Sequence, residues 1–385
     1  MTDDAPRAAP DSPGVTRLPA LLADPAPGAG RLWLRGARLF TGTDRDPAAG
    51  AAVLVVDGRI ARVARAGEAP PADATVVELD GATLLPGLID AHVHASEQLE
   101  PEVAEGAEPL LPGTHAHLVA AGLRRTLAMG ITTIRDVGAR GDAILEARQA
   151  IRFGAFRGPR ILACGRIVSA TSPGGRFFEG MYREADGPDE IRRAVREQVR
   201  RGADFIKVMT TGARSVEFED PEVAQLTVPE MTALVEEAHR LGRRVAAHCE
   251  GTPGVELALD AGVDTIEHGM YLHARPDLLD RMAATETTLV PTLSCYYGVG
   301  PEGRESWAPH LVDLANRNLE AAGATLRAAI AAGVPIAMGF DWAPAHRASV
   351  EKTDSERTEA AEPRFPPLLV ALTVGVVGSV IAVAA

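Results

Sequence analysis

Short apolar runs alternate with amphipathic stretches over most of this chain, from about residue 85 to residue 341. Eight of the runs have the length and β-branched content of buried strands: LPGLIDAHVHA, TTIRDVG, RILACGRIV, FIKVMTT, RVAAHCE, TIEHGMY, TLVPTLS and PIAMGFD. The stretches between them have a helical period, and DEIRRAVREQVRRG and PEMTALVEEAHRLG both end on the glycine that favours a helix C-terminus. Eight successive strand–helix units predict an α/β fold, a (β/α)8 TIM barrel over residues 85–345.

Two different segments precede the predicted barrel. Residues 1–30 are rich in Pro, Ala, Asp and Gly and have no apolar period, which predicts a disordered tail. Residues 31–84 contain three short β-branched runs, with turns expected at Asp57-Gly58 and Asp80-Gly81. We therefore expect a small β-module in front of the barrel.

The end of the chain differs from the barrel in composition. Residues 346–364 are polar and are predicted to form a linker, and residues 365–385 are almost wholly apolar. About 20 apolar residues suffice for a helix that crosses a bilayer, so 365–385 is a candidate transmembrane anchor. Pro366, Pro367, Gly375 and Gly378 favour the alternatives, a buried helix or an extension unrelated to the fold.

The composition excludes several classes of protein. A formal net charge of −13 with no long basic run argues against nucleic acid as a partner, and an aromatic content of 4% argues against stacking on unpaired bases. Three widely spaced cysteines without a CxxC pair indicate a reducing compartment, and the acidic N-terminus lacks the order of a signal peptide. We expect a cytoplasmic protein, associated with a membrane only if residues 365–385 form an anchor.

The first strong chemical motif is His92-Val93-His94, at the end of a predicted strand. Side chains at positions i and i+2 of a strand point to the same face, so both imidazoles can reach one ion. His115 and His117 have the same spacing but lie in a predicted helix, where such side chains diverge by about 200°. We therefore reject His115 and His117 as a ligand pair.

Four further candidates lie at or near the ends of later predicted strands. His248 and His268 are one strand–helix unit apart, so both are expected on the same rim of the barrel, where imidazoles bind metals. Asp341 ends the eighth strand, where a carboxylate suits metal binding and proton transfer. Lys207 lies within a strand, where burial is costly unless its charge is neutralised, for example by reaction of the amine with CO2. The alternative for Lys207 is a lysine that reaches solvent.

These motifs, in this order, resemble the amidohydrolase superfamily, in particular its imidazolonepropionase-like and prolidase-like branch of metal-dependent hydrolases. The resemblance runs from about Arg31 to Asp341. It implies a barrel with a β-sandwich assembled from both chain ends, and two divalent metal ions, for which we expect zinc, although such ligands also accept Mn, Co or Ni. His92, His94 and Asp341 would bind the more buried metal, His248 and His268 the more exposed one, and a carbamate on Lys207 would bridge both.

The resemblance also implies the reaction. A metal-bridging hydroxide would attack a non-ring, peptide-like amide such as that of a dipeptide, and Asp341 would pass the proton to the leaving nitrogen. Related dipeptidases carry Gly-Gly-His after the third strand, whereas this chain has Gly174-Gly175-Arg176. Arg176 is therefore a candidate for binding a substrate carboxylate, with Tyr271 as its helper. His273, on the same predicted rim loop, is either a substrate contact or an ordinary loop residue.

Two alternative functions remain open, and the sequence differs from the usual family pattern in one respect. A ring-opening or deaminating amidohydrolase with one metal would not need Lys207. The family usually continues past the strand-eight aspartate with a final helix and returning sandwich strands, which this sequence does not display, so the expected C-terminal completion is missing. A truncated, weakly active or inactive membrane-tethered binding protein is thus the alternative from another class. A homo-oligomer also remains open.

Overall fold

A computed structural model of the chain describes residues 30–42, 48–97, 111–216, 218–299, 309–341, 369–372 and 380–384. Seven strands precede the first helix of the described residues and belong to the N-terminal sheets: β1 (Arg31–Arg35), β2 (Arg38–Leu39), β3 (Ala48–Ala49), β4 (Ala52–Val56), β5 (Arg59–Ala64), β6 (Ala74–Glu78) and β7 (Ala82–Pro86). The nine strands that follow are β8 (Leu88–Val93), β9 (Ile131–Asp136), β10 (Arg160–Ala163), β11 (Ile167–Ser169), β12 (Tyr182–Glu184), β13 (Phe205–Met209), β14 (Arg244–Cys249), β15 (Thr265–His268) and β16 (Thr288–Val290). The last two are β17 (Leu369–Leu372) and β18 (Val380–Ala384).

The helices of the described residues lie between the strands of the second group and after them. They are α1 (Pro112–Ala128), α2 (Ala143–Arg152), α3 (Pro173–Phe177), α4 (Pro188–Arg201), α5 (Val228–Arg240), α6 (Thr252–Ala261), α7 (Pro276–Thr285), α8 (Leu293–Val299) and α9 (Pro309–Ala331). A short 3₁₀ turn covers Leu272–Ala274. The predicted α/β alternation is confirmed.

The N-terminal strands form two sheets, ordered β5-β4-β1-β6 and β17-β18-β7-β2-β3. Leu34 and Val53 of the first sheet share one apolar cluster with Leu39 and Leu84 of the second, so the two sheets pack face to face. Asp57 and Gly58 join β4 to β5 with φ angles of 48° and 76°. Positive φ at both central residues is the geometry of the hairpin turn that the Asp-Gly pair predicts.

The C-terminal apolar segment differs from expectation. Among the described residues of 365–385, β17 pairs with β18, and β18 runs antiparallel along the whole of β7. Returning strands are therefore present where the sequence displayed none, and they are strands rather than a helix. The composition explains this, because Val380–Ala384 is rich in β-branched residues, whereas Gly375 and Gly378 disfavour a helix. No helix within the described residues has the length and apolarity needed to span a bilayer.

Hydrogen bonds between parallel strands run around a closed ring. One sheet contains β8, β9 and β10, and another runs from β11 through β13, β14 and β15 to β16. The Asp204 amide donates to the Ala163 carbonyl and links the two sheets. The eighth strand is marked by a parallel bridge from Leu289 to Ile336, and the Ala91 amide donates to the Met338 carbonyl, which closes the ring.

Two details explain how this sequence forms the ring. In α4, Ile191, Ala194 and Val195 recur at helical spacing and are buried against the outer faces of the strands. At Gly339, a Cβ atom would lie 2.6 Å from the Cβ of His92 and 2.6 Å from a methyl of Val290. Only glycine therefore allows the eighth strand to approach the first closely enough to bring Asp341 beside His92.

Candidate metal centre

Five of the six predicted ligands lie at or near the carboxyl ends of strands in the ring, and the sixth, Lys207, lies within β13. His92 is in β8 and His94 follows it, His248 is in β14, and His268 ends β15. His92, His248 and His268 are 1%, 7% and 5% exposed. His94 and Asp341 are partly open, at 20% and 22% of their side-chain surface. Four imidazoles and one carboxylate thus share one largely buried rim.

Asp341 joins the histidines into one cluster. Its Oδ1 atom lies 2.9 Å from His92 Nε2 and 3.5 Å from His94 Nε2, and its Oδ2 atom lies 4.0 Å from His268 Nδ1. The ligand atoms of His92, His94 and Asp341 all lie within 4.8 Å of one another, an arrangement able to hold a metal ion. The rings of His248 and His268 have centroids 4.5 Å apart, which places the fourth imidazole in the same cluster.

Each imidazole is held by the protein through one ring nitrogen. His92 Nδ1 lies 2.7 Å from Glu267 Oε2, and His94 Nδ1 lies 3.0 Å from the Gly138 carbonyl. His268 Nδ1 lies 2.8 Å from Thr292 Oγ1, and His248 Nε2 lies 3.3 Å from the Gly212 carbonyl. This arrangement fixes ring orientation and leaves the other nitrogen for an ion, as in metal-binding histidines generally.

Lys207 lies in the middle of β13 and is 1% exposed. Its Nζ atom has no hydrogen-bond partner among the described residues. Burial lowers the pKa of its amine, against the opposing effect of Glu267 and Asp341. Every other basic side chain of the chain is arginine except Lys352, so a lysine at this buried position is a specific choice.

The pKa values of the cluster residues depend on burial and on the charges of their neighbours. Burial lowers the pKa of His248 well below its usual value and that of His268 to about 3, and the charge of Lys207 acts in the same direction on both. Burial alone would raise the pKa of Asp341, but His92 and His94 hold it well below its usual value. An anionic Asp341 and neutral imidazoles at His248 and His268 are the protonation states that metal binding needs.

Two of these residues have an uncommon backbone conformation. His268 and Asp341 have φ angles of 67° and 61°, in the left-handed region that residues other than glycine rarely adopt. Such backbone strain concentrates at functional sites, where the surrounding structure maintains it. Here it directs an imidazole and a carboxylate towards each other from neighbouring parts of the rim.

A buried ion pair beneath the histidines was not predicted from the sequence. Glu267 Oε1 accepts a hydrogen bond from Arg135 Nη2 at 2.6 Å, while its Oε2 atom holds His92. Burial alone would raise the pKa of Glu267, but Arg135 and His92 hold it well below its usual value. The available signal was a charged residue within each of two apolar strand candidates, TTIRDVG and TIEHGMY.

Two buried aspartates hold the backbone around the ligands. Asp90 Oδ1 accepts from the amides of His92 and Phe340, both at 3.1 Å, and so ties the first strand to the eighth. Asp136 accepts from the amide of Ala95 at 2.8 Å. Burial raises the pKa of both aspartates to about 7. Asp90 is thus bonded to backbone amides of both strands.

The three predicted substrate-binding residues are placed differently from one another. Arg176 is exposed on α3 and makes no described contact with the histidines. His273 Nδ1 lies 3.1 Å from Thr325 Oγ1 of α9. The Tyr271 ring lies under the guanidinium of Arg214, with Cζ 5.4 Å from the ring centroid. The structure therefore associates Tyr271 with Arg214, which the sequence did not single out.

Taken together, an α/β ring of parallel strands carries a candidate metal site on its rim, the arrangement of a metal-dependent hydrolase. Residues 83–361 match the pattern of the Amidohydrolase family, so the chain belongs to that family. It is an enzyme of the hydrolase class that acts on carbon–nitrogen bonds.

Individual relatives agree with this assignment. The chain is 32% identical over 339 residues to ochratoxinase of Aspergillus niger, covering 80% of this chain and 68% of that protein. It is 25% identical over 343 residues to imidazolonepropionase of Nocardia farcinica, covering 83% of this chain and 74% of that protein. A crystal structure of a Xaa-Pro dipeptidase with bound methionine superimposes with a TM-score of 0.73 at 28% identity, covering 81% of this chain and 80% of that one.

Proposed function

We propose that this chain hydrolyses a non-ring, peptide-like amide bond with two divalent metal ions, zinc by preference, held at the rim of a closed (β/α)8 barrel. The observation that carries the proposal is the set of four imidazoles, each held by the protein through one nitrogen, around a single anionic carboxylate. The resemblance to a Xaa-Pro dipeptidase and to ochratoxinase supports an amide substrate outside a ring.

The residues present fit two metals better than one. His92, His94 and Asp341 provide one set of ligands, and His248 and His268 provide a second set beside it. When bound, the metals would act as Lewis acids on the amide carbonyl and lower the pKa of a water molecule towards 7. A group common to both sets is needed, and the buried Lys207, whose Nζ atom has no partner among the described residues, is our candidate for it.

Lys207 would supply that common group as a carbamate. Its uncharged amine adds to CO2, forming a nitrogen–carbon bond and releasing one proton, and the product carries one negative charge shared by two oxygens. This exchange removes the cost of a buried ammonium and adds ligands of the charge that divalent metals attract. Arginine has no equivalent reaction, which accounts for a lysine in a chain that otherwise uses arginine.

Asp341 would handle the proton. Its Oδ1 atom faces the first histidine pair, and its Oδ2 atom faces His268 and is available to accept a proton from water. The same carboxylate then donates that proton to the leaving nitrogen, which allows the carbon–nitrogen bond to break. Glu267 and Thr292 keep His92 and His268 in the orientation that this transfer requires.

The test is metal analysis and turnover of the full chain, with Lys207→Ala and the matched control Lys352→Ala. We expect two equivalents of metal and hydrolysis of dipeptides or N-acyl amino acids by the wild type and by the control. In Lys207→Ala we expect loss of metal and a loss of turnover that a small carboxylate partly restores. Label from ¹³CO2 on a single lysine would identify the carbamate.

Three results would count against the proposal. Unchanged metal content and activity in Lys207→Ala would remove the bridging role of Lys207. One metal in an active wild type that acts on cyclic amides or releases ammonia would favour the ring-opening or deaminating alternative. Metal binding without turnover of any substrate would favour a binding protein.

A further inference from the structure

An arginine with two carboxylate partners lies near His248 of the candidate metal centre. Arg214 follows β13, and its side chain is 14% exposed. Its Nη2 atom donates to Glu222 Oε1 at 2.6 Å, and its Nε atom lies 2.5 Å from Glu250 Oε2. Its guanidinium also covers the Tyr271 ring. The Nη1 atom has no hydrogen bond within the described residues.

The two carboxylates hold Arg214 in different ways. Glu250 is buried, and its Oε1 atom accepts from the backbone amide of Arg214 at 3.2 Å. Neither Arg214 Nε nor Glu250 Oε2 has a partner in hydrogen-bond geometry among the described residues, although the two atoms are buried and adjacent. Glu222 is 47% exposed, and an exposed pair of this kind contributes little binding energy. Glu250 therefore fixes the arginine, whereas Glu222 is easily replaced.

Arg214 and Glu250 lie close to His248, one of the candidate metal ligands. Glu250 Oε1 lies 3.6 Å from His248 Nε2, and the Gly212 carbonyl that orients His248 is two residues from Arg214. Tyr271 follows His268 by three residues. Arg214 is thus linked to His248 through Glu250, and the aromatic ring that it covers belongs to a residue three positions after His268.

We propose that Arg214 is the specificity-determining residue that binds a free carboxylate next to the scissile amide of the substrate. This inference rests on the proposed function. The substrate carboxylate displaces Glu222 and accepts from Nη1 and Nη2 as a bidentate pair, while Glu250 and Tyr271 keep the guanidinium plane fixed. The substrate class is then N-acyl amino acids, including dipeptides with a free carboxyl end.

This assignment replaces the one that the sequence suggested. Arg176 is exposed on α3, and none of its described contacts fixes its guanidinium or ties it to a ligand histidine. Holding an unrestrained arginine in one position costs side-chain entropy on binding, which a preorganised arginine avoids. Arg214 is preorganised by two ion pairs and an aromatic ring.

The test compares two substrates on the full chain with metal bound. One is the N-acyl amino acid that the wild type hydrolyses best, and the other is the matching N-acyl amino alcohol, which has a neutral hydroxymethyl group in place of the carboxylate. For Arg214→Gln we expect KM for the acid to rise about 10- to 100-fold, because a charge-assisted hydrogen-bonded pair is lost. We expect little change in kcat for the acid or in the kinetic constants for the alcohol. For Arg176→Gln we expect the ratio of kcat/KM for the acid to kcat/KM for the alcohol to stay as in the wild type.

Arg214→Gln leaves the Glu250 carboxylate buried without its partner, which could destabilise the fold. A second variant therefore separates an effect on folding from an effect on carboxylate binding. Arg214→Gln combined with Glu250→Gln removes both charges, and we expect the same selective loss on the acid with wild-type metal content. Equal losses on the two substrates, or a selective loss in Arg176→Gln, would overturn the assignment of Arg214. Failure of the wild type to hydrolyse either substrate would instead overturn the proposed function, and the assignment with it.

Discussion

At the scale of single residues, the chemistry of this centre depends on groups that never touch substrate. Glu267 is fully buried, and it connects His92 to Arg135. A carboxylate that accepts from a ligand imidazole fixes its tautomer and raises its basicity towards the metal. The strength of metal binding at His92 should therefore depend on a residue that is not itself a ligand.

Glu267→Gln tests this dependence. The amide is neutral and leaves Arg135 without its counter-ion, so we expect metal affinity to fall about 10- to 100-fold. Competition with a chelator of known affinity measures the change, and Glu256→Gln, which removes an exposed partner of Arg275, is the control. Equal affinity in both variants would show that Glu267 serves only the Arg135 ion pair.

The sequence indicated the candidate ligands more readily than the residues that support them. His92, His94, His248, His268 and Asp341 could be found because each ends or follows an apolar strand, and parallel strands bring those ends together. Glu267 and Arg135 were missed because pairing between charged residues 132 positions apart leaves no local pattern. Arg214 was missed for a related reason, since its role depends on Glu250 and Tyr271 from two other strand–helix units.

At the scale of elements, the outer helices are joined by ion pairs that should respond to pH. Glu237 of α5 accepts from Arg240 of its own helix and from Arg196 of α4. The Arg240 and Arg196 hydrogen bonds lower the pKa of Glu237 from 4.5 to about 2. A carboxyl group whose pKa is lower in the folded state stabilises the fold when ionised and loses that contribution as acid protonates it.

The corresponding prediction concerns acid unfolding. Above pH 4.5 the Glu237 contribution is fully present, and between pH 4.5 and about 2 it is progressively lost, so the free energy of unfolding of the wild type should fall in this interval. Glu237→Gln should be less stable at neutral pH and should show a smaller fall. Denaturant unfolding at a series of pH values measures both, with Glu236→Gln as the exposed control. Parallel curves for Glu237→Gln and the wild type would refute the assignment.

Most strands were predicted, and the differences have local causes. RILACGRIV forms two strands, β10 and β11, because Gly165 between them has a φ of 74° and interrupts the extended chain. TLVPTLS is a strand only to Val290, since Pro291 follows and α8 begins at Leu293. Apolar runs predict which segments are buried, whereas the residue at which a strand ends depends on the backbone conformation of single residues.

At the scale of the whole molecule, contacts between residues far apart in the sequence join the C-terminal strands to an N-terminal sheet. Similar contacts join the first strand of the ring to the last. β18 pairs with β7, which directly precedes the first barrel strand, so residues near the C-terminus share a sheet with residues that lead into the metal site. Hydropathy could not predict this pairing, because a Val- and Gly-containing apolar run suits both a strand and a membrane helix. The pairing partner decides between them, and it lies almost 300 residues earlier in the chain.

Metal binding should stabilise the whole fold as well as the site. The proposed ligands come from β8, β13, β14, β15 and the end of the eighth strand. A bound ion therefore connects the first strand of the ring to the last, which hydrogen bonds near Asp341 also join. A ligand that binds only the folded state adds RT ln(1 + [L]/Kd) to the free energy of unfolding, which is about 2.7 kcal/mol at a free concentration of 100 Kd.

We therefore expect chelation to lower the unfolding midpoint and added Zn²⁺ to raise it with the logarithm of its concentration. Lys207→Ala should retain only part of this gain, because the first three ligands remain, and His92→Ala should lose most of it. A midpoint that does not respond to chelator or metal would place the ion, if any binds, outside the cluster around Asp341.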